Sequence, residues 1–200
     1  MPLLDNESIQ NMGFSSVGKN VFISDKASFY NCANISIGDN VRIDDFCIIS
    51  AGEGGIIVGN HIHVAVYSSL IGTGKIVLNN FCNLSSRVSI YSSSDDYSGE
   101  WMTNPTIPKK YTNVYSADVT IGRHVIIGTG SVVMPGIKLG DGVAIGALSF
   151  VKNNCEAFGI YAGVPAKRIS ERKKNIIALE HAYLSICESN MCASSQSRDY

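Results

Sequence analysis

"VTIGRHVIIGTGSVVMPGIKLGDGVAIGALSFV", residues 119–151, repeats itself every six residues. Ile121, Ile127 and Val133 form one aliphatic triplet, and Leu139, Ile145 and Val151 form the next, 18 residues further on. Four residues after an aliphatic comes a small or medium side chain, as at Ser131, Val143 and Ser149, and glycine often follows directly, as at Gly122, Gly128, Gly140 and Gly146. The pattern has the form [LIV]-G-x-x-small-x. Physically it describes short strands turned at regular corners: the aliphatic and the small residue point inward, and the glycine and polar positions make the corners, where unusual backbone angles are needed.

Upstream the pattern continues with triplets Val17, Ile23, Phe29; Ile37, Ile43, Ile49; Val58, Val64, Leu70; and Leu78, Leu84, Ile90, with a circuit of 20 or 21 residues. The small position recurs at Ala27, Val41, Cys47, Ser68, Cys82 and Val88. A single coil of this kind cannot bury its own apolar edge and must stack on its neighbours. The expected fold is therefore all-β, a triangular parallel β-coil over 17–166, preceded by an N-terminal segment, 1–16. An ordinary β-sandwich would need the same spacing to arise by coincidence six times.

The repeat stops at "SIYSSSDDYSGEWMTNP", residues 89–105, and resumes at Val119. The dipeptides before each coil start place the re-entry at the third side, with both ends of an excursion over 91–118 on neighbouring corners of one coil. That makes it an insertion and not a domain boundary. Its length exceeds that of an idle turn, and its Tyr91, Tyr97, Trp101, Met102, Tyr111 and Tyr115 favour an ordered flap. From Lys167 to about Cys187, the spacing of Ile169, Ile176, Ile177, Leu179, Leu184 and Ile186 predicts an amphipathic helix covering the last open coil. The tail "ASSQSRDY" is expected to be disordered, which completes a C-terminal region of 167–200.

Composition narrows the function. At 200 residues, 45% hydrophobic and 16% charged, the chain suits one compact domain. Lys plus Arg is 16 against 17 for Asp plus Glu, and no basic run precedes "RISERKK" at 168–174, so no nucleic-acid footprint is expected. The start "MPLLDNESIQNMG" lacks a basic region followed by an apolar stretch, and no segment is apolar enough to span a bilayer; a cytoplasmic protein is expected. The six cysteines show no metal spacing and read as free, mostly structural thiols, and no metal site is expected.

The stretch 119–151, followed by "YAGVPAKRI" at 161–169, resembles the coenzyme A half of the left-handed β-helix (hexapeptide-repeat) acyltransferases, such as the galactoside, maltose and nodulation O-acetyltransferases. The excursion is more similar to enzymes of polysaccharide and O-antigen synthesis that acylate nucleotide-linked 4-amino-4,6-dideoxy sugars. The resemblance implies a left-handed parallel β-helix with a protruding loop and a C-terminal α-helix. It also implies a homotrimer that binds acetyl-CoA in clefts between subunits, with the sugar acceptor near the loop. For coenzyme A it carries over onto Thr129, Gly130, Ala147, Lys152, Lys167 and Arg168. The expected activity is transfer of an acetyl group from acetyl-CoA to the amino group of a nucleotide-linked amino-deoxy sugar. A sugar O-acetyltransferase and a non-catalytic binding β-helix are the alternatives. A carbonic-anhydrase-type metal lyase shares the coil, but its three-histidine pattern is not matched here.

Acyl transfer from a thioester needs a base for the acceptor, a donor for the developing oxyanion, and tight positioning. Of the four histidines, His181 falls in the expected helix, and His61 and His124 fall at corners where solvated residues are ordinary. His63 precedes Val64 and so points outward on a flat face, with Asn83 one coil later in the same column. On the family pattern the catalytic histidine falls on Asp95. Two arrangements stay open: His63 is the base, with Asp95 or Asp96 orienting it or binding the acceptor, or a carboxylate takes the proton of an amine directly. Asn83, Tyr97 and Trp101 are the expected acceptor contacts.

Overall fold

The structure is a computed structural model that describes residues 2–196, with side chains described as far as Cys187. The last four residues of the expected disordered tail, and the side chain of Cys192, lie outside the described residues. Three sheets of six, eight and six strands, parallel except for the last strand of the eight, wind into a β-solenoid of about seven turns. The first face runs through Ile35–Ile37, Ile56–Val58, Ile76–Leu78 and Val119–Ile121; the second through Val41–Ile43, Ile62–Val64, Asn83–Leu84 and Ile126–Ile127. The third runs through Ser28–Tyr30, Ile48–Ala51, Ser69–Gly72, Ser89–Tyr91, Val132–Val133 and Phe150–Val151.

Register follows the six-residue step. Ile43, Val64, Leu84, Ile127 and Ile145 lie in one inward column of the second face, each paired with the next, and all are buried. Val17 and Phe29 of the first triplet are the exceptions, with Val17 exposed at the end of the stack. A short helix within the N-terminal segment covers this end: α1, Asn6–Asn11, is capped by Asp5 and inserts Ile9 into the core.

The repeat glycines do something other than the expected turning of the chain. Gly18, Gly38, Gly59 and Gly122 do not adopt left-handed angles; those fall two residues later, on Asn20, Asn40, His61 and His124. The glycines instead permit the coils to approach: a Cβ at Gly38 would lie 2.7 Å from the Gly59 carbonyl oxygen. At the first-to-second corner the left-handed residues stack upon one another. The His61 and Phe81 rings are 4.8 Å apart, and those of Phe81 and His124 4.9 Å.

The C-terminus departs from the helix expected there. Residues Lys167–Glu171 form a strand, not the first turns of a helix, and pair antiparallel with Gly159–Ala162. The last coil offers an edge of unpaired backbone groups, and the returning strand satisfies them. The buried ring of Tyr161 closes this end, its hydroxyl accepting from the Glu156 amide at 2.9 Å. The helix proper, α2, spans Asn175–Gln196 and lies along the side of the solenoid, not over its end. Buried Glu180 accepts from Arg123 and pairs with His124 at 2.6 Å, and Tyr183 meets His61 edge-on. Burial pushes the Glu180 carboxyl up, but its contacts with His124 and Arg123 outweigh that and hold it below the usual range. His61 and His124 are thus covered by α2 and are not the solvated corner residues expected, whereas His181 is exposed.

The excursion leaves the third face after Tyr91 and re-enters at Val119 on the first face of the following coil, not at the third side of the same one. Its base is stitched to the coil below. The buried Ser92 hydroxyl donates to the Gly74 carbonyl at 2.7 Å, the Ala117 amide donates to the Ser92 carbonyl at 3.0 Å, and the Lys75 amide donates to Asp118 at 2.8 Å. Above this the strands Ser93–Ser94 and Tyr115–Ser116 pair antiparallel. The inward thiols of Cys47, Cys82 and Cys155 are free, and burial pushes them up to about 11, 12 and 11.

Candidate active site

Between the excursion and the third face lies a cavity of about 640 Å³. Its floor is made of outward residues of adjacent strands: Val132 and Phe150 are register partners, and Tyr91 ends the strand below. Its wall is the hairpin, which brings Ser94, Asp95 and Tyr97 over that floor. Asp95 supplies the one carboxylate among the lining residues, and no described residue hydrogen-bonds to it.

Asp96 turns away from this role. Its carboxylate accepts from the Ser98 hydroxyl at 2.8 Å and the Gly99 amide at 3.1 Å, hydrogen bonds that close the turn and hold its carboxyl below the usual range. Tyr97 lines the cavity with 91% of its surface open; Trp101 is exposed on the excursion and is not among the lining residues.

Beside the floor stands the second-to-third corner, where Thr129, Gly130 and Ala147 come together. The Thr129 hydroxyl donates to the Ser86 carbonyl at 2.6 Å, the Gly130 amide to the same carbonyl at 3.0 Å, and the Leu148 amide to the Thr129 carbonyl at 2.8 Å. Gly128 is required there, because a Cβ would lie 2.5 Å from the Ala147 nitrogen. Of the three basic residues expected to follow, Lys152 and Lys167 are exposed and form no ion pair with any described residue. Arg168 is already held by Glu156, at 2.7 Å, and by Glu171.

His63 does lie on an outward column of the second face, between Arg42 and Asn83. The carboxylate at its side is Asp44, however, with Nε2 2.8 Å from Oδ2; Asp95 and Asp96 sit on the excursion over the third face. Asp44 also accepts from Arg42 Nε at 2.7 Å. Burial pushes its carboxyl up, and the hydrogen bonds from His63 and Arg42 more than reverse that, leaving it below the usual range. Sequence reasoning missed Asp44. The signal was one circuit upstream of His63, where Arg42 and Asp44 flank the inward Ile43. Among the described residues, no three His, Cys, Asp or Glu side chains converge closely enough to hold a metal ion, and no helix is long and apolar enough to cross a membrane.

A parallel solenoid of hexapeptide coils, with a lined cavity under an inserted hairpin, defines a β-helix transferase. Residues 118–153 match the family model "Bacterial transferase hexapeptide (six repeats)". Over 183 residues the chain is 60% identical to the dTDP-4-amino-4,6-dideoxy-D-glucose acyltransferase of Escherichia coli, covering 92% of this chain and 95% of that protein. The chain belongs to the hexapeptide-repeat acyltransferase family. The galactoside O-acetyltransferase of Escherichia coli is more distant, 27% identical over 82% of this chain and 68% of its own. Among solved structures, AntD, an N-acyltransferase from Bacillus cereus in complex with dTDP and 3-hydroxybutyryl-CoA, superposes with a TM-score of 0.91 at 44% identity, covering 94% of this chain and all of that one.

Proposed function

We propose that this enzyme moves an acetyl group from acetyl-CoA to the amino group of a nucleotide-linked amino-deoxy sugar during synthesis of surface polysaccharide such as O-antigen. The observation that carries the reading is the cavity on the third face, whose single lining carboxylate, Asp95, is free to take a proton. The 60% identical relative is named for acylating such a sugar, and AntD was crystallised with both a dTDP ligand and a coenzyme A thioester. The pantetheine arm follows the corner at Thr129, Gly130 and Ala147, and Lys152 and Lys167 meet phosphate groups.

The amine lone pair attacks the thioester carbonyl, the new C–N bond forms, the amine proton passes to Asp95, and the thiolate leaves. An amine held close is a good nucleophile, so a carboxylate is base enough. The working unit is a homotrimer in the cytoplasm, with His63 and Asn83 of the second face turned toward the acceptor cleft. Tyr97 and Trp101 stack on the acceptor. A second reading, O-acetylation with His63 as base, draws on the 2.8 Å contact by which Asp44 holds that ring.

The excursion tests the acceptor assignment. Replacing residues 97–111 by a short Gly-Ser turn keeps Asp95 and the paired strands Ser93–Ser94 and Tyr115–Ser116. The expected result is an acceptor KM raised by about tenfold or more, a loss of roughly 1.4 kcal/mol of binding, with coenzyme A affinity unchanged in calorimetry. Unchanged acceptor kinetics would remove the excursion from the acceptor site.

A further inference from the structure

The second face carries a cluster that proton transfer at Asp95 leaves unused. Asp44 is only 6% exposed and accepts from both Arg42 Nε, at 2.7 Å, and His63 Nε2, at 2.8 Å. Register sets Arg42 beside His63 on neighbouring strands, with Asn83 next in the row, and such strands lie about 4.8 Å apart. Each side chain is bound to Asp44 by one edge only. The terminal nitrogens of Arg42 and Nδ1 of His63 have no partner among the described residues, and the two side chains are 56% and 40% exposed.

A buried carboxylate that holds the inner edge of two side chains fixes their rotamers and turns their remaining donors outward, side by side. The guanidinium presents a rigid fork suited to phosphate oxygens, and its orientation is set before any ligand arrives. With Nε2 held by Asp44, Nδ1 is the ring edge left for a ligand.

We propose that Arg42 and His63, framed by Asp44, form the subsite that takes the diphosphate of the nucleotide-linked acceptor. The assignment rests on the acceptor reading above and deepens it. The diphosphate then anchors the acceptor by the end opposite its reacting sugar. Asp44 itself is a positioning residue.

Calorimetry with dTDP and, separately, with coenzyme A tests the subsite on the full-length protein and on Arg42→Ala, Arg42→Lys and His63→Ala. The expected result is dTDP affinity about tenfold or more weaker in Arg42→Ala and His63→Ala, the loss typical of one charge-assisted contact. Arg42→Lys, which keeps the charge but not the fork, falls between, and coenzyme A binding is unchanged throughout. Wild-type dTDP affinity in Arg42→Ala and His63→Ala overturns the subsite and leaves the acceptor reading standing. A wild-type protein that binds coenzyme A but not dTDP overturns the acceptor reading and the subsite with it.

Discussion

Replacing Asp95 with asparagine lowers kcat for the amino-sugar acceptor by about 10²–10⁴-fold, the span of a lost general base, and leaves coenzyme A affinity unchanged. Asparagine matches aspartate in shape, so the cavity floor of Val132 and Phe150 and the hairpin above it stay in place. What disappears is the one lining carboxylate that can accept a proton. The structure gives this variant little other reason to fail, since no described residue hydrogen-bonds to the Asp95 carboxylate and its loss breaks no packing. Single-turnover kinetics would place the defect on the acyl-transfer step. A turnover within a few-fold of wild type would move the base elsewhere, and the next candidate is His63 with its Asp44 partner. His63→Ala gives the complementary result, a larger effect on acceptor KM than on kcat.

The largest loss of stability is expected in the coil that carries the excursion. Leu84 is fully buried and stacks between Val64 and Ile127 in the inward column of the second face. Leu84→Ala removes three carbons from a column flanked above and below by β-branched side chains that have little freedom to fill the gap. The expected cost is roughly 2–5 kcal/mol, and a chain of this size loses about 2–4 °C in Tm per kcal/mol. In a solenoid each coil touches only its neighbours, so the damage concentrates where the excursion is rooted. Thermal denaturation followed by circular dichroism checks this; a Tm within about 2 °C of wild type would mean that the column is not the packed core described here.

The repeat was legible because it is a packing rule written into every coil. Ile121 and Leu139, 18 residues apart, are neighbours in space for the same reason that they match in sequence, and pairing confirms the register. The insertion was legible as a break in that rule. Its attachment was misread, because the six-residue step identifies an inward position without saying which of the three faces it belongs to. Pairing of Val119 with Ile76 settles the face.

Corner chemistry was the part least visible. Left-handed angles fall on Asn40, His61 and His124 instead of the glycines before them, and what makes those residues useful is stacking on the next coil and cover from α2. Neither property shows in a local pattern. Lys167–Glu171 read as helix because its apolar residue fits that spacing, but an unpaired sheet edge nearby decided for strand. For the site, the outward direction of His63 and its row with Asn83 were readable from parity. Its carboxylate partner was not, since Asp44 is a corner residue one circuit away and nothing in the local pattern marks it as the residue that meets His63. Asp95 and Asp96 look equivalent in "SSSDDYSG", and only the hydrogen bonds to Ser98 and Gly99 separate the turn-closing carboxylate from the one facing the cavity.

The measurement that bears most directly on the proposed activity is release of free thiol from acetyl-CoA with dTDP-4-amino-4,6-dideoxyglucose, set against the same nucleotide sugar bearing a hydroxyl in place of the amine. A carboxylate base acting on the amine predicts kcat/KM for the amine at least about 100-fold above that for the hydroxyl, because such a base serves an amine and not a sugar alcohol. Equal or faster release with the hydroxyl acceptor, or no release with either, would contradict it.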